Sequence, residues 1–157
     1  MATIKKKPSG YGQFGGFSPY GNVTALAFFL ATNASGAVID SDTTTAVASG
    51  DVIDLGELPE GMRLDDAQIL IKTGMTATVT GSLGFKYVDG DSTEVPQDAA
   101  YFINAGDLAT AGRLRANTGK LVTLPKSARL ILTTGVAANA KASDIKVIVS
   151  GELTGPR

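Results

Sequence analysis

The sequence predicts an all-β body: a jelly-roll-like β-sandwich of two Greek-key halves, preceded by an extended N-terminal arm. Three observations carry this. First, apolar and polar residues alternate with a period of two in several segments. In Asp51 to Gly90, Ala67, Ile69 and Ile71 fall on one side of an extended chain and Asp66, Gln68 and Lys72 on the other, the period of a half-buried strand. Second, turn signals recur at roughly ten-residue spacing and divide the chain into about eight to ten short strands, the signature of a sandwich or barrel. Third, Leu58-Pro59-Glu60-Gly61-Met62-Arg63-Leu64 is echoed 66 residues later by Leu124-Pro125-Lys126-Ser127-Ala128-Arg129-Leu130. A turn feeding a strand at two such places favours two similar halves, hence a jelly roll.

The expected organisation is an arm over residues 1–22, a sandwich over 23–153 and a tail over 154–157. The arm opens on Lys5, Lys6 and Lys7 and continues through a glycine- and proline-rich stretch carrying Tyr11, Phe14, Phe17 and Tyr20. It has no strand or helix period. Rings on such a backbone suit a segment that orders against another surface; a floppy tail, or a tail packing on its own domain, is the plainer reading. Val23 to Ala31 reads as a first strand buried on both sides. Ala37 to Ile39 is a short strand or edge, and Thr43 to Ala48, rich in β-branched residues, a partly exposed strand.

The stretch from Asp51 to Gly90 reads as a strand, a tight turn and three further strands. In the turn, Pro59 is expected to set φ for the second position, and Gly61 to supply positive φ two residues on. Leu83, Phe85 and Tyr87 form an inward row opposite Ser82, Gly84 and Lys86. Ala99 to Ile103 is a further strand. Between Gly106 and Ala116, Asp107 would cap a short helix carrying Leu108, Ala111 and Leu114, or the segment is a loop leading to a strand at Arg113–Ala116. After the second turn, at Pro125, Leu130 and Leu132 alternate with Arg129, Ile131 and Thr133. Ile145, Val147 and Val149 close the domain.

Composition limits the chemistry. Net charge is −1, but three of the 14 basic residues are Lys5–Lys7, which leaves a body of net −4. A nucleic-acid-binding surface calls for a basic face with interleaved aromatics, so no specific nucleic acid is expected. Cysteine, histidine and tryptophan are absent. That removes thiolate chemistry, the commonest general base and the strongest sugar-stacking ring. The longest apolar run, Val23 to Ala31, falls well short of the roughly 20 residues of a spanning helix. It also lies too far behind the lysines to be a signal-peptide core.

Asp89, Asp91 and Glu94 share one loop and are the single weak candidate for a metal site. Calcium takes six or more oxygen ligands, yet the loop lacks the glycine and the distal glutamate of an EF-hand, and a solvated hairpin tip explains it. Asp65 and Asp66 are adjacent and point to opposite faces of a strand. No P-loop, GxSxG or HExxH pattern occurs. No cofactor is expected, and no enzymatic activity.

The pattern of strands and turns in Gly50–Thr73, Leu124–Thr134 and Ile145–Leu153 resembles the small head decoration, or cement, proteins of tailed bacteriophages. That resemblance implies a jelly roll on the outer capsid surface, made in the host cytoplasm, assembled as a dimer or trimer and bridging neighbouring major-capsid subunits. In that reading residues 1–22 are the clamp. The alternative is a carbohydrate- or receptor-binding module of a phage fibre or spike, which requires an exposed aromatic platform or a calcium loop.

Overall fold

A computed structural model describes residues 1–6 and 23–154, and none of these is helical. Among them are ten strands: β1 (Thr3–Lys5), β2 (Val23–Thr32), β3 (Val52–Leu58), β4 (Met62–Thr73), β5 (Thr80–Tyr87), β6 (Asp98–Asp107), β7 (Gly112–Arg115), β8 (Val122–Thr123), β9 (Ala128–Gly135) and β10 (Ser143–Leu153). They form two sheets. Sheet I runs β1-β3-β9-β5-β6; sheet II runs β2-β10-β4-β7, with β8 also paired to β4.

This order follows from one long hairpin. Strand β2 pairs with β10, β3 with β9, β4 with β7 and β5 with β6, all antiparallel. The pairs nest from the outside of the sequence inward and alternate between sheet II and sheet I. Wrapping the hairpin brings β10 beside β4 and β9 beside β5, which completes a jelly roll. The expected fold class is the observed one.

The echoed turns prove to be neighbours. The chain passes from sheet I to sheet II through Pro59–Gly61, and returns from sheet II to sheet I after Leu124. The Gly61 N–H donates to Leu124 O at 2.9 Å, and the Leu124 N–H donates to Met62 O at 2.9 Å. The repeat therefore marks the two arms of one hairpin rounding the same corner. In the first turn the Met62 N–H donates to Pro59 O at 3.3 Å. Pro59 thus stands at the first turn position rather than the second, and Gly61, at φ 75°, fills the third, where positive φ favours glycine.

The inward rows are as the alternation predicts. Ala67, Ile69, Ile71, Leu83, Phe85, Tyr87, Leu130, Leu132, Ile145, Val147 and Val149 are all 4% exposed or less. Each large aliphatic side chain buried this way contributes about 1.5–3 kcal/mol. Phe85 meets Tyr87 and Tyr101 edge-on at 5.6 and 5.3 Å, and Tyr101 meets Phe102 at 4.7 Å. From β6 in sheet I, the Tyr101 hydroxyl donates to Leu64 O at 3.3 Å and accepts from the Val122 N–H at 3.1 Å, tying the sheets together. Burial pushes its phenol up to about 12.

Several elements differ from expectation. Val23–Thr32 is not buried on both sides: it is the edge of sheet II, with Val23 77% and Phe29 58% exposed. Residues 74–79 are not a strand. They fold across an end of the sandwich, with the Met75 N–H on Leu108 O and the Leu108 N–H on Val79 O. Thr43 to Ala48 is not a strand either. Its hydroxyls bond locally, Thr43 Oγ1 to Thr45 Oγ1 at 2.9 Å, the competition that draws such residues out of ladders. No helix follows Asp107. Its Oδ1 accepts the Ala109 N–H at 2.8 Å, turning the chain towards β7, so the loop-and-strand alternative holds.

Residues 1–6 also depart from a free arm. Strand β1 pairs in parallel with β3, and Ile4 is 1% exposed. The Ala2 N–H donates to Asp51 Oδ1 at 2.8 Å and the Lys5 N–H to Asp42 Oδ1 at 3.0 Å.

Ile69→Ala should lower the unfolding free energy by about 2–5 kcal/mol, whereas Val88→Ala, at an exposed loop position, should stay within about 0.5 kcal/mol; urea titration reads both. A second expectation concerns alkali. Tyr101 ionises near 10 when unfolded but only at about 12 when folded, so the folded state holds the proton longer. Stability should fall as pH rises from 10 to about 12, and Tyr101→Phe should remove the latest-titrating phenol from the absorbance change at 295 nm.

Candidate functional site

Two surface regions collect the residues singled out in the sequence. The first is the N-terminal seam. Lys5 ends β1, its carbonyl accepting the Asp42 N–H at 3.0 Å. Lys6 bridges to Ser41, and its ammonium donates to Phe29 O on β2. Burial lowers the Lys6 pKa, and Asp40 opposes that shift. Lys7, Tyr11, Phe14, Phe17 and Tyr20 lie outside the described residues. What the structure fixes is where that stretch is anchored: its first neighbour, Lys6, and its last, Val23, both sit on the body, Lys6 against the far half of β2 and Val23 at its start.

The second region is the loop after β5. Lys126, from the second turn, lies within it: its Nζ is 2.9 Å from Asp89 Oδ1, 2.8 Å from Gly90 O and 3.3 Å from Asp91 O, and 4.9 Å from the centre of the Tyr87 ring. These are a carboxylate, two carbonyls and a π face, the surroundings a bound cation seeks. The lysine supplies that charge from within the chain. Asp91 Oδ1 accepts the N–H groups of Ser92 and Gln97 at 2.8 and 2.7 Å. Both aspartates are held below the ordinary carboxylate range, Asp89 chiefly by Lys126 and Asp91 chiefly by the Gln97 N–H. The weak metal candidate Asp89, Asp91 and Glu94 is therefore a lysine-centred loop, and no group of three or more potential metal ligands gathers among the described residues. Nothing in the sequence joined Lys126 to a loop some 36 positions away.

Beside this loop is an open groove of about 1010 Å³ lined by Lys5, Asp54, Lys86, Lys126 and Arg129, among others. Its charges pair across strands: Arg129 Nε lies 3.0 Å from both oxygens of Asp54. On the outer face of sheet II, Arg63 bridges Asp65 and Glu152 at 2.7 Å each, and Arg115 pairs with Asp66. These charges tie strands to one another in both sheets. Pro59, Gly61 and Pro125, expected as structural turns, lie at the corner described above. Among the described residues no helix is long and apolar enough to cross a membrane.

Lys126→Met should free the loop of residues 88–97. Amide exchange there should accelerate, and the melting temperature should fall by about 2–4 °C. The same loop should loosen on acidification. The Asp89 and Asp91 carboxylates have folded pKa values below their unfolded ones, so their contribution is present above the unfolded value and is lost as pH falls through the folded one. Amide exchange as a function of pH checks this.

No family model and no curated protein sequence matches the chain. Solved structures do. The chain is similar to one in the capsid of Ralstonia phage GP4, with a TM-score of 0.62, 18% identity and 88% of each chain covered. It is also similar to a chain in the capsid asymmetric unit of cyanophage Pam1, with a TM-score of 0.58 and 19% identity over 88% of this chain and 89% of that one. A third likeness, at 0.51 and 13%, is to a chain in the acid-stable capsid of Helicobacter pylori bacteriophage KHP30, over 85% of this chain and 94% of that one. At these identities the likeness is one of fold: an all-β two-sheet sandwich shared along nearly the whole length of each chain.

Proposed function

We propose that this chain is a structural virion protein that binds the outer surface of a phage capsid and reinforces it by bridging major-capsid subunits. One observation carries the reading. The jelly roll matches chains from three phage capsids over 85–88% of its length, and sharing that body is what supports a part in a capsid. The surface supports it. Ion pairs and loop ties make the sandwich rigid, and a rigid body keeps its contact surfaces preorganised for docking. A homo-oligomer of two or three copies would multiply weak contacts across a symmetric shell.

The proposed contact is the N-terminal stretch: Lys5, Lys6 and Lys7 by charge, and Tyr11, Phe14, Phe17 and Tyr20 by apolar rings. Because β1 is docked on β3, this stretch acts as a clamp tied to the body at both ends. No turnover is involved, since the work is adhesion. The alternative of a carbohydrate- or receptor-binding module finds less support. The calcium loop it calls on is centred on Lys126, and the rings of Phe85, Tyr87, Tyr101 and Phe102 are buried.

The test separates the clamp from the fold. Deleting residues 1–22 would also remove Ile4 from the core, so the informative variant replaces Tyr11, Phe14, Phe17 and Tyr20 together by alanine. Co-sedimentation with purified phage heads should show at least about a tenfold loss of affinity at an unchanged melting temperature. Undiminished binding by this variant would count against the clamp, and failure of the unaltered chain to bind heads would count against the capsid reading itself.

A further inference from the structure

An aspartate followed by glycine carries a chemical hazard. The glycine nitrogen can reach back to the aspartate side chain, because no Cβ on the glycine stands in the way. This chain contains one Asp–Gly pair, Asp89-Gly90, and no Asn–Gly pair. The pair stands in the loop after β5, outside any ladder. The Asp89 side chain is 71% exposed, and its neighbour Val88 is exposed as well. Gly90 holds φ 100°, and a Cβ there would meet nothing within 4 Å, so a small ring has room to form. Among the described residues no hydrogen bond engages the Gly90 N–H, which leaves the attacking nitrogen unoccupied.

One side chain holds the reacting groups. Lys126 Nζ lies 2.9 Å from Asp89 Oδ1 and 2.8 Å from Gly90 O. It therefore grips the carboxylate and the following peptide together. The groove beside the loop also presents Glu57, Glu60, Lys86 and Arg129, and Asp91 lies in the loop itself. Among the described residues, Lys126 is the cation in contact with the Asp89 carboxylate.

We propose that Asp89-Gly90 is a site of isoaspartate formation and that Lys126 restrains it. The Gly90 nitrogen attacks Cγ of the protonated Asp89 carboxyl. An N–Cγ bond forms and the Cγ–OH bond breaks. The hydroxyl leaves with the amide proton as water, and a five-membered succinimide remains. Water then reopens the ring. Opening at Cγ restores aspartate. Opening at the main-chain carbonyl gives isoaspartate, with the backbone running through Cβ and Cγ. The two steps lose and regain one water, and nothing is oxidised or reduced. An ionised carboxylate is a poor electrophile, so a cation that keeps Asp89 ionised and pinned slows the first step. The low Asp89 pKa, due chiefly to Lys126, agrees with this. Isomerisation lengthens the backbone by one carbon and shifts the carboxylate, which breaks the set of contacts around Lys126. The inference stands apart from the capsid reading, since its test needs no phage head.

The full chain is incubated at about pH 6 beside Lys126→Met, Lys126→Arg and Asp89→Glu. Isoaspartate is counted by methyl transfer from S-adenosylmethionine with an isoaspartyl methyltransferase, and located by peptide mass spectrometry. It should accumulate at position 89 ahead of the other aspartates. Lys126→Met should speed this at least about threefold, and Lys126→Arg should stay near the unaltered rate. Asp89→Glu, whose ring would need a sixth member, should abolish the signal. Well below the ordinary carboxyl value of 3.8, Asp89 is protonated with or without Lys126, and the rates of the unaltered chain and Lys126→Met should converge. No isoaspartate at position 89 in Lys126→Met, under conditions where the urea-unfolded chain forms it, overturns the site. Equal rates at pH 6 overturn the restraint. A gap that persists at low pH also overturns it, since the cause would then be a loose loop and not charge.

Discussion

The constraint on which the rest of this structure depends is the shared corner at Gly61 and Leu124. A strand leaving one sheet for the other breaks its ladder, and its N–H and C=O groups must find partners or remain buried and unpaired, at a cost of about 1–3 kcal/mol each. Here two chain segments cross together and satisfy one another, Gly61 to Leu124 and Leu124 to Met62. Leu58, Met62, Leu64, Leu124 and Leu130 are all fully buried around that crossing. Once the corner is set, β3 must pair with β9 and β4 with β8, and the wrapping of the hairpin follows.

The charges serve the same architecture. Arg129 spans from β9 to Asp54 on β3, Arg63 from β4 to Glu152 on β10, and Lys126 from the corner to the loop after β5. Each ties a segment to one distant in sequence. The more exposed pairs, Arg63–Glu152 and Lys126–Asp89, contribute little individually, whereas the Asp54 carboxylate is buried and relies on Arg129 as its partner. The effect of these pairs is to fix the register and loop position of a sandwich whose apolar rows already provide the stability. A surface whose charges are turned to one another is well suited to holding a shape.

Legibility in the sequence followed the length of the pattern. Long alternating runs such as Ala67–Ile71 and Ile145–Val149 declared their inward faces, because a one-residue slip would expose the whole row. The echoed turns were visible, but their adjacency was not, since a repeat does not say whether its copies lie in two halves or side by side. Strand β1 could not be read: three residues with one apolar centre, Ile4, show no period. The edge position of β2 was hidden by composition. Alanine and phenylalanine read as buried on either face, and only the strand order shows that Ala25, Ala27 and Phe29 face outward. Asp107 shows the limit of local chemistry, because a side chain that caps a helix also closes a turn.

The docking of β1 also changes what residues 7–22 can do. Anchored at Lys6 and again at Val23, the stretch can extend from the body by no more than half its contour, roughly 25 Å, where a free arm of the same length would reach twice as far. The gain is in entropy, since closing a segment already fixed at both ends sacrifices less freedom on binding than ordering a loose terminus. In the proposed reading, a stretch tethered in this way would act only at short range, on a surface lying against the sandwich. Lys6 grips β2 itself through Phe29 O, and Val23 begins the same strand, so the two described residues that flank 7–22 both lie along β2, at one edge of sheet II.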